Sequence, residues 1–322
     1  MWCMVVAGAP GSLVGTARPD RGGPEGTDEG MPMATADPAV VETALGPVVI
    51  AAVEQHEPTP LLADPFARHV LPRSGRFLVR LSRWSFLRRG LVRASERQAP
   101  GIWASVLCRK RFIGDVLARA AAGGVESVVV LGAGLDTLVL RSALPPGVRV
   151  YEVDLPEIVH RKRALLATVP GPATSHSTLV PIDFQAENLA DVLAVHGYRA
   201  ETRTVFVWEA VTQYLTEGAV RATLECMRAA PSGSHLVFTY VRQDFLDGDE
   251  FYGAEKLHRR FGGQKGLWRF GLRPERVRGL LAEYGWQEVE QMGAAQFRGR
   301  YLRPAGREAA VSEVERSVHA IR

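Results

Sequence analysis

Cysteine is scarce in this chain: Cys3, Cys108 and Cys226 are its whole complement among 322 residues. An odd number of cysteines without ligand spacing supports neither a disulfide framework nor a zinc site, so we expect free thiols and no metal. The sequence also lacks the run of about eighteen apolar residues that a membrane span needs. No charged start followed by an apolar core marks a secretory signal. These absences predict a cytoplasmic protein.

Acidic residues are nearly missing from one stretch of an otherwise balanced chain. The net charge is +4 and the isoelectric point about 9.1, yet between residues 73 and 111 the only acid is Glu96. The same stretch contains eleven basic residues: Arg73, Arg76, Arg80, Arg83, Arg88, Arg89, Arg93, Arg97, Arg109, Lys110 and Arg111.

The same stretch carries apolar residues at helical spacing. Phe77, Leu81, Trp84, Leu87 and Leu91 predict an amphipathic helix with an arginine-rich opposite face. Such a face can be merely solvated, can form a lid that attracts an acidic substrate, or can contact nucleic acid or a membrane. Because no nucleic-acid motif accompanies the charge, we expect the partner to be a small, acidic substrate molecule, and neither nucleic acid nor a membrane.

Three segments are predicted along the chain. Residues 1–36 are rich in glycine, proline, alanine and aspartate without periodicity, which predicts a disordered tail. Residues 37–114 are predicted to form a helical lid that binds substrate, and residues 115–322 a cofactor-binding core. The length and the 46% hydrophobic content allow one large α/β core with an added subdomain.

Residues 127–156 combine two apolar runs that predict buried parallel strands. The first run is followed by Gly132 and Gly134, where the backbone can approach a ligand because no Cβ intervenes. The second run ends at Asp154, about twenty residues further on, which is the distance that a βαβ unit imposes. A carboxylate there can accept hydrogen bonds from a ribose diol. The pair predicts a nucleoside-cofactor site.

A third glycine is missing from this turn. Leu135, Asp136 and Thr137 follow Gly134, whereas the dinucleotide fingerprint needs another glycine for close packing of helix on strand. Of the two cofactor classes that use this geometry, the nicotinamide or flavin dinucleotides are therefore less favoured than S-adenosylmethionine.

Strand and helix patterns alternate through the rest of the chain and predict a doubly wound α/β sheet with ligand chemistry at the carboxyl ends of its strands. Asp183 and Phe184 follow the third strand, where they suit a purine, although Asp183 alone is equally suited to cap the next helix. Glu209 follows the buried fourth strand, where a carboxylate needs a cationic partner. End strands are predicted near residues 286–291 and 296–301.

Five motifs together are similar to those of the leucine carboxyl methyltransferase family. They begin at Arg109 (RKRFIGD), Gly132 (GAGLDT), Tyr151 (YEVDLP), Pro181 (PIDF) and Trp208 (WEAVTQYLT). The tail from residue 300 to residue 320 resembles the bacterial branch, and the similarity to tetracenomycin-type polyketide carboxyl methyltransferases is the best fit. The resemblance runs from about residue 64 to the C-terminus.

The resemblance implies a fold, a cofactor and a site. The fold would be a Rossmann-like class I methyltransferase, with a seven-stranded, mostly parallel sheet, an antiparallel end strand and an N-terminal helical lid. The cofactor would be S-adenosyl-L-methionine, bound by Arg109, Gly132, Ala133, Gly134, Asp136, Asp154, Leu155, Asp183, Phe184 and Glu209.

Within that set, the resemblance implies separate roles. Arg109 would bind the methionine carboxylate, Asp154 the ribose, Asp183 with Phe184 the adenine, and Glu209 the amino-acid end. The chain departs from the family's pattern in two places. Residues 138–141 stand where the family more often has arginine directly after the threonine, and a family lysine upstream of residue 64 has no evident counterpart.

The reaction implied is methyl transfer by in-line displacement, which needs alignment of the reacting groups and exclusion of water. A carboxylate acceptor is ionised at neutral pH and needs no base, whereas a hydroxyl acceptor does. Tyr214 is the candidate catalytic residue, as base or for acceptor placement, ahead of His56, His69 and His235. We expect a polyketide-like acceptor. The alternatives are a protein's C-terminal carboxylate and a nonenzymatic protein that binds a cofactor or nucleic acid.

Overall fold

The computed structural model describes residues 38–167, 169, 177–184, 186–262 and 266–322. The tail predicted for residues 1–36 lies outside these residues. None of the helices in the described ranges is long and apolar enough to cross a membrane.

The described strands form one mixed sheet of eight. They are β1 (Ser127–Leu131), β2 (Arg149–Asp154), β3 (Ser177–Pro181), β4 (Thr204–Trp208), β5 (His235–Arg242), β6 (Gly271–Leu272), β7 (Gln287–Met292) and β8 (Glu315–Ile321). Their order is β3-β2-β1-β4-β5-β8-β7, with the short β6 paired to the end of β5. The pairs from β3 to β5 are parallel, and β8 runs antiparallel to both of its neighbours. The predicted Rossmann-like sheet is confirmed.

Helices and turns connect the strands. They are α1 (Pro38–Glu54), α2 (Arg73–Leu81), α3 (Ser85–Glu96), α4 (Ile102–Ala122), α5 (Leu138–Arg141), α6 (Pro156–Leu166), α7 (Leu189–Val195), α8 (Glu217–Met227), α9 (Gln243–Asp247), α10 (Glu255–Phe261), α11 (Pro274–Glu283) and α12 (Ala294–Phe297), with a 3-10 turn at Thr212–Tyr214 and a π turn at Arg298–Leu302. The predicted boundary between the lid (residues 37–114) and the core (residues 115–322) falls inside helix α4. The division into these two segments stays a prediction.

The central strands are buried at every position because helices cover both faces of the sheet. Val128 and Val130 of β1 pack in one hydrophobic cluster with residues of α1 and α4. Val129 and Leu131 point to the other face and pack in a second cluster with residues of α8 and α11. The alternation places the turn after β1 between two packed layers, which holds it in position.

The end strand predicted near residues 296–301 is wrong. These residues continue from α12 into the π turn, and the last strand is β8. Phe297 and Tyr301 are both buried, and the ring of Phe297 packs edge-on against Phe112 of α4 at 6.2 Å. A spacing of four residues fits one face of a helix and one face of a strand equally well, so the sequence pattern could not distinguish the two.

The single amphipathic helix predicted between residues 77 and 91 is also wrong in part. The chain forms two helices, α2 and α3, and the predicted apolar positions Phe77 and Trp84 are exposed. Val79 is buried instead, and Arg88, predicted on the basic face, points inward. The Nε of Arg88 donates to Glu57 at 2.6 Å. Packing of the two helices on other elements buries Val79 and Arg88 and leaves the rings of Phe77 and Trp84 facing outward.

Candidate functional site

The carboxyl ends of four adjacent parallel strands meet at one edge of the sheet. Gly132 follows β1, Asp154 ends β2, Asp183 follows β3 and Glu209 follows β4. Strand order reverses between β1 and β4, which is where crevices for ligands form in open α/β sheets. The structure therefore brings the predicted cofactor-binding residues together, although their contacts with a cofactor stay predictions.

The turn after β1 depends on its two glycines. Gly132 and Gly134 have φ angles of +62° and +49°, in the region that side chains with a Cβ rarely adopt. A Cβ on Gly132 would also overlap a methyl of Val211, which lies in the turn after β4. The amide of Ala133 donates to Val153 at 3.1 Å and extends the pairing of β1 with β2. The backbone is thus held close to the crevice with no side chain in front of it.

Asp154 joins this turn to the start of α6. One carboxylate oxygen accepts from the amide of Gly134 at 2.6 Å and the other from the amide of Leu155 at 2.7 Å. Burial raises the pKa of Asp154, although both amides and the nearby Lys162 oppose that shift. Each oxygen retains a second lone pair, so the carboxylate can still accept bonds from a diol.

Arg109 lies in a buried network of charged side chains. Its Nε donates to Glu209 at 2.8 Å, and its Nη1 bonds to Glu315 at the start of β8. Lys110, next on α4, bonds to Asp136 and lies 3.3 Å from Glu209. Although burial opposes its charge, Glu315 and Glu209 raise the pKa of Arg109. The cation that Glu209 needs is therefore supplied by α4 of the chain itself.

The network continues through Asp136 to the segment after α1. Arg141 donates to Asp136 at 2.7 Å and to Asp64 at 3.3 Å, and the hydroxyl of Thr137 donates to Asp64 at 2.6 Å. Burial would raise the pKa of Asp136, but Lys110 and Arg141 hold it well below its usual value. Burial raises the pKa of Asp64 despite Arg141 and Thr137. Arg141 thus supplies a cation near the position where the family more often has arginine.

The network has the chemistry that an amino-acid group requires. It contains four carboxylates and three cations: Asp64, Asp136, Glu209, Glu315, Arg109, Lys110 and Arg141. Within the described ranges, Oε1 of Glu315 and Nη2 of Arg141 are buried without a hydrogen-bond partner. The Glu315 oxygen can accept a hydrogen bond from an ammonium group, and the Arg141 nitrogen can donate one to a carboxylate. With the glycine turn and Asp154, these residues fit S-adenosylmethionine.

Sequence reasoning missed four members of this network. Lys110, Asp64, Arg141 and Glu315 were not among the predicted site residues. Lys110 lies inside the motif that begins at Arg109, Arg141 follows the glycine motif by four residues, and Asp64 lies where the family resemblance begins. The adjacent cations at residues 109 and 110 indicated that several carboxylates would be needed. Glu315 lies in the tail that resembles the bacterial branch, but nothing in that tail indicated a contact with Arg109, because only the antiparallel pairing of β8 with β5 brings the two residues together.

The turn after β4 is tied to β5. Ala210 has a φ of +57°, a strained angle for a residue with a Cβ. Its amide donates to the hydroxyl of Thr239 at 2.8 Å, and the hydroxyl of Thr212 donates to the carbonyl of Thr239 at 2.7 Å. This turn leads Glu209 to the network and places Tyr214, partly exposed, in the following 3-10 turn.

The residues after β3 adopt a different arrangement from a simple helix cap. Asn188 caps α7 by accepting from the amide of Ala190 at 2.8 Å, so the alternative in which Asp183 caps that helix is wrong. The amide of Asp183 donates to Glu187 at 2.8 Å. Phe184 packs against the second hydrophobic cluster. Both predicted adenine contacts thus lie beside the end of β2, where the pairing of Asp154 with Pro181 brings them.

The three histidines predicted as alternative bases lie in other surroundings. His235 is the first residue of β5 and therefore lies at the amino ends of the parallel strands, and its ring stacks on His319 at 5.3 Å. The ring of His56 is bonded to the carbonyl of Val79 at 3.0 Å. His69 bonds to the side chain of its neighbour in sequence at 3.1 Å. His235 therefore lies at the end of the sheet away from the predicted cofactor-binding residues.

Comparison with known proteins places the chain in a family. Residues 44–228, more than half of the chain, match the leucine carboxyl methyltransferase family. A relative from Frankia alni, assigned as an S-adenosyl-L-methionine-dependent methyltransferase, is 30% identical over 246 residues, covering 76% of this chain and 82% of that protein. One from Mycobacterium ulcerans with the same assignment is 29% identical over 290 residues, covering 83% and 89%.

A solved structure supports the fold. A protein from Thermobifida fusca assigned as a methyltransferase matches 88% of this chain and 98% of its own, with a TM-score of 0.52 and 16% identity. At that identity the match concerns the fold alone. Family, relatives and fold together confirm the predicted enzyme class and cofactor. The chain belongs to the leucine carboxyl methyltransferase family and is an S-adenosylmethionine-dependent methyltransferase.

Proposed function

We propose that the enzyme methylates a carboxylate or hydroxyl oxygen of a small natural product, a polyketide-like secondary metabolite of the tetracenomycin type. The charge network carries this proposal. Asp136 is bonded to two cations, and a carboxyl group whose pKa lies well below its usual value is a weak base. Asp64, whose pKa burial raises, already accepts hydrogen bonds from Thr137 and Arg141. An acceptor that needs no deprotonation therefore suits the network best, so a carboxylate is the first candidate.

The protein's own residues would then position the cofactor and the acceptor. S-adenosylmethionine supplies a methyl group made electrophilic by its sulfonium. The glycine turn and Asp154 would hold the nucleoside, and the network would hold the amino-acid end. Tyr214, in the 3-10 turn that follows β4 and Glu209, would place the acceptor and would take its proton only if the acceptor is a hydroxyl. We place the reaction in the cytoplasm, in agreement with the free thiols of Cys108 and Cys226 in the described chain.

Labelled cofactor tests the proposal. The enzyme is incubated with methyl-labelled S-adenosylmethionine and an acidic metabolite pool, and the products are treated with base. A base-labile small ester supports carboxylate methylation, and a base-stable small product supports a hydroxyl acceptor. Label in protein would instead favour a protein C-terminal carboxyl methyltransferase. No transfer to any acceptor would contradict the proposal.

The pH profile of Tyr214→Phe separates the two acceptor classes. With a carboxylate acceptor the variant should change KM more than kcat and leave the pH profile of kcat intact. With a hydroxyl acceptor that uses this base, kcat should fall by about 10²-fold or more. Tyr198→Phe is the control, because that ring packs on Tyr151 in the second cluster.

A further inference from the structure

The outward side of α2, α3 and their connection combines arginines with exposed aromatic rings. Phe77, Trp84 and Phe86 expose 63%, 43% and 64% of their surface. Seven exposed arginines accompany them: Arg73, Arg76, Arg80, Arg83, Arg89, Arg93 and Arg97. These ten residues are called the arginine-aromatic surface below.

Helical spacing explains why each helix presents one ring together with several cations. On α2 the exposed positions recur at intervals of three or four: Arg73, Arg76, Phe77 and Arg80. On α3 and its end they do the same: Phe86, Arg89, Arg93 and Arg97. Val79 and Ser95 are buried on the inner sides, so packing against the protein fixes which side faces outward.

The positive charge of this surface is not neutralised by acids of the described residues. Glu57 is bonded to the inward-pointing Arg88, and Glu96 accepts from the amide of Gly101 at 2.6 Å. None of the seven arginines has a carboxylate within 4.0 Å among the residues that the structure describes. The guanidinium of Arg83 lies over the ring of Trp84 at 4.5 Å. Cation and ring are thus presented side by side.

We propose that the arginine-aromatic surface binds the anionic surface of a lipid bilayer. Lipid phosphates would neutralise the arginines, and the boundary between head groups and acyl chains would receive Phe77, Trp84 and Phe86. A second copy of the same surface would oppose arginine to arginine. A soluble acid would neutralise the cations but leave most of the three rings in water. The sequence analysis predicted no membrane partner, and it also assigned Phe77 and Trp84 to the apolar side of a helix, whereas both rings are exposed.

Vesicle sedimentation with the full chain tests this proposal. The probes are vesicles of phosphatidylcholine alone and of equal parts phosphatidylglycerol and phosphatidylcholine, at low and high salt. The chain should bind the anionic vesicles and not the neutral ones, and salt should weaken binding. The variant Arg76→Gln/Arg80→Gln/Arg83→Gln should bind about 100-fold more weakly, since each arginine near an anionic surface contributes about fivefold.

Matched variants separate this surface from general charge and apolarity. Arg259→Gln/Arg276→Gln/Arg278→Gln removes three exposed arginines elsewhere, and its binding to anionic vesicles should weaken severalfold at most. Phe77→Ser/Phe86→Ser should release the protein from anionic vesicles at lower salt. The corresponding control is Val195→Ser/Val289→Ser, which removes two other exposed apolar side chains.

Three results would overturn the proposal. The first is equal binding to neutral and anionic vesicles, or none to either. The second is equal loss in the control arginine variant, which would show a general charge effect. The third is vesicle binding that is insensitive to both surface variants, while the arginine variant raises acceptor KM or weakens duplex DNA binding. That result would assign the surface to an acidic acceptor or to nucleic acid. Vesicle binding does not depend on which acceptor is methylated.

Discussion

Replacing Gly132 by alanine tests how the turn after β1 forms the cofactor edge. The backbone at Gly132 has a φ of +62°, and a left-handed conformation costs a residue with a Cβ about 1–2 kcal/mol. The new Cβ would also overlap Cγ2 of Val211 and lie 3.2 Å from Cγ1, and overpacking typically costs about 1–3 kcal/mol. Together these effects predict a loss of about 2–5 kcal/mol in the free energy of unfolding.

Gly134→Ala is the matched control. Its φ is +49°, but the atom nearest to the new Cβ would be the carbonyl oxygen of Gly132 at 4.0 Å. It should therefore lose only the conformational part, about 1–2 kcal/mol. Urea unfolding of Gly132→Ala, Val211→Ala and the double variant forms a cycle in which the smaller side chain at residue 211 should recover the overlap part. Equal losses at both glycines, or no recovery in the double variant, would refute the steric reasoning.

Three further outcomes are expected. Asp154→Ala should weaken S-adenosylmethionine binding by roughly 10- to 100-fold in calorimetry, since hydrogen bonds to a charged group contribute about 1.5–3 kcal/mol; an unchanged Kd would remove it from the cofactor site. Burial and the neighbouring His235 lower the pKa of His319 to about 4. The unfolded chain, with a pKa of 6.5 at this group, is protonated first, so stability should fall as pH drops from about 6.5 towards 4, by up to about 3 kcal/mol. His319→Gln should flatten the decline of Tm over that range, and an equally steep decline would show that other groups cause it. Ala210→Gly should raise the free energy of unfolding by about 1 kcal/mol, because φ there is +57°; urea unfolding that shows a loss would mean that the turn is not strained.

The alternating strands and the glycine turn could be predicted because their signals are local. A continuous apolar run predicts a strand covered on both faces, and β1 and β4 are buried throughout. The need of Glu209 for a cation also followed from one position, since a carboxylate after a buried strand is costly when unpaired. Which cation meets it could not be read locally, and the structure shows Arg109 and Lys110.

The arginine-rich stretch shows where local pattern fails. Phe77 and Trp84 fit one continuous amphipathic helix, but the chain breaks after residue 81 and α3 starts at residue 85. Each short helix then turns the side that packs best toward α1 and α4, and Val79 is buried in place of the rings. Periodicity predicts that a helix has one apolar side. Packing against other elements decides which residues lie on it.

By itself, the sequence determined the α/β class, the turn at residues 132–134, Asp154 at the end of β2 and the methyl-donor cofactor, because each rests on neighbours in the chain or on motifs of contiguous residues. Only the tertiary structure decided how the buried charges are paired. Glu315 reaches Arg109 across 206 positions of sequence because β8 inserts antiparallel beside β5. Asp64 meets Arg141 across 77 positions. Buried charges must find partners wherever the fold brings them, and distance along the chain does not limit that choice.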